Sequence, residues 1–235
     1  MDRLATARDD EEDDRLDGER IEEYGKYVVD SPWAWLPQPS RGVVMPGRPW
    51  RDAPIRPIML ALPTGRGYTI RGHFQDPEEF LFLDRDSRPL LFRSVDGLAR
   101  HLEADDHFLV EIEDWSQVKD WFINLVLTPD PDDQIDLEII PHVLKLSPQD
   151  WIPELLVAGR NLAAEFATVF DLTDAVRLLA PGSRLDQLDD VMRLAQRSLT
   201  GWSARRRRRN IDTISVVRDW NRVLDSIDQM TLWED

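Results

Sequence analysis

The sequence predicts an α+β fold: a small antiparallel sheet with packed helices, followed by a helical C-terminal region. Three observations carry that expectation. Short apolar runs separated by turn residues fill residues 56–92. A capped helical pattern follows from Ser94. From residue 147 onward, apolar residues recur mostly at helical spacing. The chain divides into an acidic tail (1–30), an extended Trp/Pro-rich arm (31–55), an α+β domain (56–146) and a helical region (147–235).

Each element has a local reason. Ile58-Met59-Leu60-Ala61-Leu62 is an apolar run ended by Pro63 and Gly65, and reads as a buried strand. Tyr68-Thr69-Ile70 is a second strand, and Gly65-Arg66-Gly67 turns the hairpin between them. Glu79-Phe80-Leu81-Phe82-Leu83 and Pro89-Leu90-Leu91-Phe92 flank the turn-prone Asp84-Arg85-Asp86-Ser87, and the pair reads as a hairpin. Ser94 N-caps a helix from Val95 to Glu103, with Leu98 and Leu102 four residues apart. A second helix is expected around Ser116 to Leu125. Ile135 to Ile140 is too short to settle between strand and helix start.

Ser147 at a cap and Pro148 at a first turn predict the next helix, running through Trp151 to Phe170. Pro181-Gly182 breaks it, and Ser183 caps another start. The last helix covers roughly 211–230, with Ile214, Val217, Trp220, Val223, Leu224 and Ile227 read as one stripe.

Composition narrows the function. The 235 residues carry a formal net charge of −16. Nucleic acid or anionic membrane is repelled unless a local basic patch exists. There is no cysteine, so disulfides, thiolate catalysis and cysteine metal sites are excluded. Residues 1–23 have no apolar stretch that would serve as a secretory signal, and no run approaches the roughly 18 apolar residues of a membrane span. The expected location is the cytoplasm. The same 23 residues hold the run Asp9 to Asp14 and are expected to be disordered.

Two features stand out as sites. The arm 31–54 places Trp33, Trp35 and Trp50 among closely spaced prolines. Such a segment runs extended, and its indoles either pack on the body or anchor a protein partner. The second feature is the run Arg205, Arg206, Arg207, Arg208 and Arg209, with Arg218 and Arg222 further along. Adjacent guanidiniums concentrate binding capacity for phosphate or carboxylate. They are candidates for nucleic acid, or for pairing with carboxylates of this chain or another protein. Asp130, Asp132, Asp133, Asp136 and Glu138 resemble a calcium loop but lack its central Gly and its closing Glu. His101, Asp105, Asp106 and His107 supply too few convergent ligands for a metal. No phosphate loop, nucleophile elbow or HExxH is present. No catalytic residue, metal or cofactor is assigned.

The order of features resembles an actinobacterial family of uncharacterised proteins often labelled primosomal proteins, some treated as transcription regulators. The carrying residues are Ile58 to Gly65 with Tyr68-Thr69, then Arg88 to Phe92 leading into Ser94, Leu98, Ala99 and Leu102. Trp115 and the closing Trp220, Val223, Leu224, Ile227 and Asp228 complete it, over roughly residues 56–232. The resemblance implies a role near replication or transcription machinery and brings no catalytic motif.

The expected function is a non-enzymatic interaction or regulatory protein acting on a protein partner. The alternatives are a nucleic-acid binder using the arginine run, or an unrecognised hydrolase.

Overall fold

The computed structural model describes residues 55–75, 78–111, 115, 119, 128–197 and 207–235. The described residues all fall within one compact unit. The acidic tail, the arm and most of the helix expected at 116–125 lie outside the described residues.

The α+β expectation holds, with a mixed sheet. Strands β1 (Ile55–Leu62) and β2 (Gly65–Gln75) pair antiparallel along their length. β3 (Glu78–Phe82) pairs antiparallel with the far half of β2, and β5 (Arg88–Phe92) meets β2 at Tyr68. The hairpin at 84–87 closes between β4 (Asp84–Arg85) and β5. Its tip, Asp86 and Ser87, has φ of 55° and 59°, the left-handed pair that matches strand twist in a two-residue turn. The Leu90 amide donates to the Leu83 carbonyl at 2.9 Å, one step back along the hairpin. Residues 78–82 then turn away to join β2.

Two further strands arrive from distant sequence and pair in parallel. β6 (Gln134–Asp136) adds beside β1, and β7 (Leu232–Glu234) adds beside β5. Parallel pairing needs a crossover, and here the intervening chain is long enough to supply one. The stretch 135–140 is therefore both things: Ile135 sits in β6, and Ile140 opens helix α2 (Ile140–Lys145).

Alternation along the strands sends apolar side chains to both faces. Leu81 packs with Ile70, Leu90, Phe92, Leu98 and Leu102 on the side covered by α1 (Val95–Glu103). Phe82 points the other way, its ring 4.2 Å from Phe166 on α3 (Pro153–Val169). Ser94 caps α1 as expected, accepting from the Gly97 amide at 3.0 Å.

The helical half is α3, α4 (Thr173–Leu179), α5 (Arg184–Arg197) and α6 (Thr213–Met230). α3 starts at Pro153 rather than at Ser147. Pro153 also suits a first helical turn, and Ser147 instead closes a turn by accepting from the Asp150 amide at 2.8 Å. Gly159 lets α2 approach: a Cβ there would lie 2.3 Å from Ile140 Cδ1. Ser183 accepts from the Asp186 amide and starts α5, as expected.

Among the links that cross residue 146, three stand out. Arg71 on β2 forks onto Glu165 on α3 with two bonds of 2.8 and 2.7 Å, both side chains mostly buried. Trp220 Nε1 on α6 donates to the Leu137 carbonyl at 3.3 Å. β7 returns the end of α6 to the sheet, where Trp233 fills the space left open by Gly67.

The Arg71–Glu165 fork yields a test. Removing one partner strands a charge in a mostly dry site, whereas replacing both with apolar groups does not. Urea denaturation of Glu165→Ala is expected to show a loss of about 2–4 kcal/mol. Arg71→Met combined with Glu165→Leu is expected to recover most of that loss.

Candidate functional site

The described members of the arginine run differ in their surroundings. Arg205 and Arg206, like Trp33, Trp35 and Trp50, lie outside the described residues. Arg207 and Arg209 are exposed. Arg208 between them is buried, and its Nη1 donates to the Pro148 carbonyl at 3.3 Å. Of the described run, then, Arg208 is committed to the protein's own backbone.

Arg218 and Arg222 lie on the outer face of α6. Asp212 caps this helix, accepting from the Ser215 amide at 3.2 Å. Hydrogen bonds from the Ser215 hydroxyl and amide hold the Asp212 carboxyl below the usual carboxylate range. The inner face buries Val216, Trp220, Val223, Leu224 and Ile227. Ile214 does not belong to that stripe and is 83% exposed. It precedes Val216 by two residues, about 200° round the helix, so it shares the outer face with Arg218 and Arg222.

Neighbouring helices add charges that the sequence did not single out. Asp219 has a side chain only 6% exposed. It receives Arg184 Nη1 from α5 at 3.1 Å on one oxygen and Arg218 Nε at 3.6 Å on the other. Asp174 on α4 is 61% exposed. It is shared between Arg177 at 3.0 Å and Arg222 at 3.6 Å. Two carboxylates are thus each straddled by two guanidiniums, across three helices. Arg177 had a local signal, three residues after Asp174. Arg184 had none, because its partner is 35 residues away.

The histidine cluster forms a ring stack. Phe92, His101, His107 and Trp115 follow one another at centroid separations of 5.0, 5.4 and 5.0 Å. Asp105 points away to Lys119 and to Trp115 Nε1, and Lys119 holds its carboxyl below the usual range. Burial, then the neighbouring His107 and Arg85, push His101 below its ordinary pKa; Glu234 and Asp106 oppose them. In the acidic turn, Arg56 pairs with Asp133 at 3.0 Å, and Asp136 accepts from the Ile139 amide at 3.0 Å. Among the described residues, no three His, Asp or Glu side chains are grouped to hold a metal. No helix among them is long and apolar enough to cross a membrane. A cavity of about 10 Å³ opens between Leu156, Arg160, Leu188, Asp189 and Trp220, room for about one water.

Comparison with known proteins adds a family. The family model for the SatS C-terminal domain matches residues 55–228. The crystal structure of a SatS C-terminal domain in complex with bromine is similar, with a TM-score of 0.62 at 22% identity. The match covers 79% of this chain and 96% of that one, and shows a shared fold. No curated protein matches the chain.

Two outcomes follow. His101 binds its proton less readily folded than unfolded, so stability is full above about pH 6.5 and falls as pH drops below it. The urea midpoint is expected to fall between about pH 7.5 and 5.5, and to fall less in His101→Gln. Arg208→Met is expected to cost about 1 kcal/mol in thermal unfolding. Arg207→Gln and Arg209→Gln should stay within about 0.5 kcal/mol of the parent.

Proposed function

The chain belongs to the SatS C-terminal domain family, and from that premise we propose that it is a non-enzymatic interaction or regulatory protein that acts by binding another protein. The observation that carries this reading is the outer face of α6. There, Ile214 stands 83% exposed on the same stripe as Arg218 and Arg222. Single exposed aliphatics are ordinary on protein surfaces. This one is set among guanidiniums, and arginine is enriched where proteins meet.

Among the described residues, three of the mostly buried carboxylates are engaged structurally. Arg71 holds Glu165, Arg184 and Arg218 hold Asp219, and the Ile139 amide occupies Asp136. The resemblance to chains labelled primosomal or transcription-regulatory suggests the partner's process. Trp33, Trp35 and Trp50 remain candidate anchors on the same partner.

A photo-reactive residue at position 214 of the full chain tests this, with exposed Gln187 as the control position. After irradiation in a nuclease-treated native lysate, a discrete protein adduct is expected at 214 and not at 187. Adducts only to nucleic acid without nuclease, or none above the control, would overturn the proposal.

A further inference from the structure

We propose that the small cavity between α3 and α5 is a binding site for a single water molecule, which bridges Arg160 Nε to Asp189 Oδ1. Both residues line this cavity of about 10 Å³. Both atoms are buried, and among the described residues neither meets a hydrogen-bond partner. Asp189 as a whole is only 7% exposed, so bulk solvent does not serve its free oxygen. A donor and an acceptor left dry in the walls of one cavity are both costly, and native proteins seldom leave either unpaired.

The neighbouring side chains are already spent. Arg160 Nη2 donates to the Leu179 carbonyl at 2.9 Å and to Asp186 at 3.3 Å, which anchors the guanidinium at the end of α4. Asp189 gives its other oxygen to Arg193 Nε at 2.6 Å, and Arg193 Nη2 donates to Asn161 Oδ1 at 2.7 Å. The Trp220 indole also lines the cavity, but its one donor goes to the Leu137 carbonyl. The remaining lining is aliphatic. Turning Arg160 or Asp189 to satisfy its free atom would break the bonds that hold it.

Chemistry sets the occupant. The ligand must accept a hydrogen bond from a guanidinium N–H and donate one to a carboxylate oxygen. A halide cannot donate and meets the Asp189 charge. A metal ion or ammonium cannot accept and meets the Arg160 charge. Water does both, and the volume admits about one. Two polar partners are the fewest that hold an internal water. The water then completes an unbroken chain between α3 and α5, running from Asp186 through Arg160, the water, Asp189 and Arg193 to Asn161.

A crystal structure of the full chain that orders internal waters, from crystals soaked in bromide, tests this. One peak is expected at about 2.7–3.2 Å from both Arg160 Nε and Asp189 Oδ1, with no anomalous signal. No peak, a peak touching one of the two atoms alone, a direct Arg160–Asp189 bond at these atoms, or an anomalous halide there would overturn the proposal. Oxygen-17 relaxation dispersion gives a second reading in solution. Asp189→Leu removes the acceptor and is expected to lose one long-lived water relative to the parent. Asp189→Asn, whose amide oxygen still accepts, should keep it. Equal counts in the parent and Asp189→Leu would also overturn the proposal. Thermal melts establish that the variants fold. Where Asp189→Leu does not, Leu188→Phe fills the cavity with both polar atoms kept, and the same loss of one water is expected.

Discussion

Trp220 buries its indole at the centre of the helical half and donates Nε1 to the Leu137 carbonyl. Much else depends on that contact. Leu137 follows β6, and its own amide donates to the Ala61 carbonyl on β1 at 3.1 Å. One indole therefore ties α6 to the edge of the sheet. Removing it would forfeit a burial of roughly 3–5 kcal/mol and leave a buried carbonyl unpaired. Around it, Val216, Val223, Leu224 and Ile227 seat α6 against its neighbours. The same helix then delivers β7 to β5, where the Arg93 amide donates to the Glu234 carbonyl at 2.7 Å.

A helix clamped this firmly on one side presents its other side as a rigid surface. Arg218 and Arg222 owe their positions to backbone that Trp220 fixes, and Arg184 is placed through buried Asp219. Preorganised charges bind with less lost entropy than flexible ones. The ion pairs also differ in kind. Arg71–Glu165 is mostly buried and costs several kcal/mol to break singly, whereas Arg177–Asp174 is solvated and contributes little. The first is architecture; the second is exchangeable, and an exchangeable pair suits a surface that changes partners.

Much of the fold was legible. The β1, β2 and β5 runs, the Ser94 cap, Ser183 and the final helix follow from apolar period and capping chemistry. Sequence reading misplaced what depends on distant partners. β7 is three residues long and is a strand only because β5 lies beside it. The start of α3 moved from Ser147 to Pro153 because two prolines offered first turns, and tertiary packing chose between them. Ile214 was read into the apolar stripe of α6, although the wheel angle from Val216 already placed it outside. Adjacency in the basic run does not give its described members the same surroundings. Helix geometry separates Arg208, which turns inward to Pro148, from the exposed Arg207 and Arg209. Arg184 joins the face through tertiary folding alone, so no local pattern revealed it.

Amide hydrogen exchange on the full chain, with and without the partner recovered through position 214, tests the central claim most directly. Slower exchange confined to residues 173–184 and 213–225 is the predicted result. Slowing confined to the α1 and β5 side, or no change across α6, would contradict it.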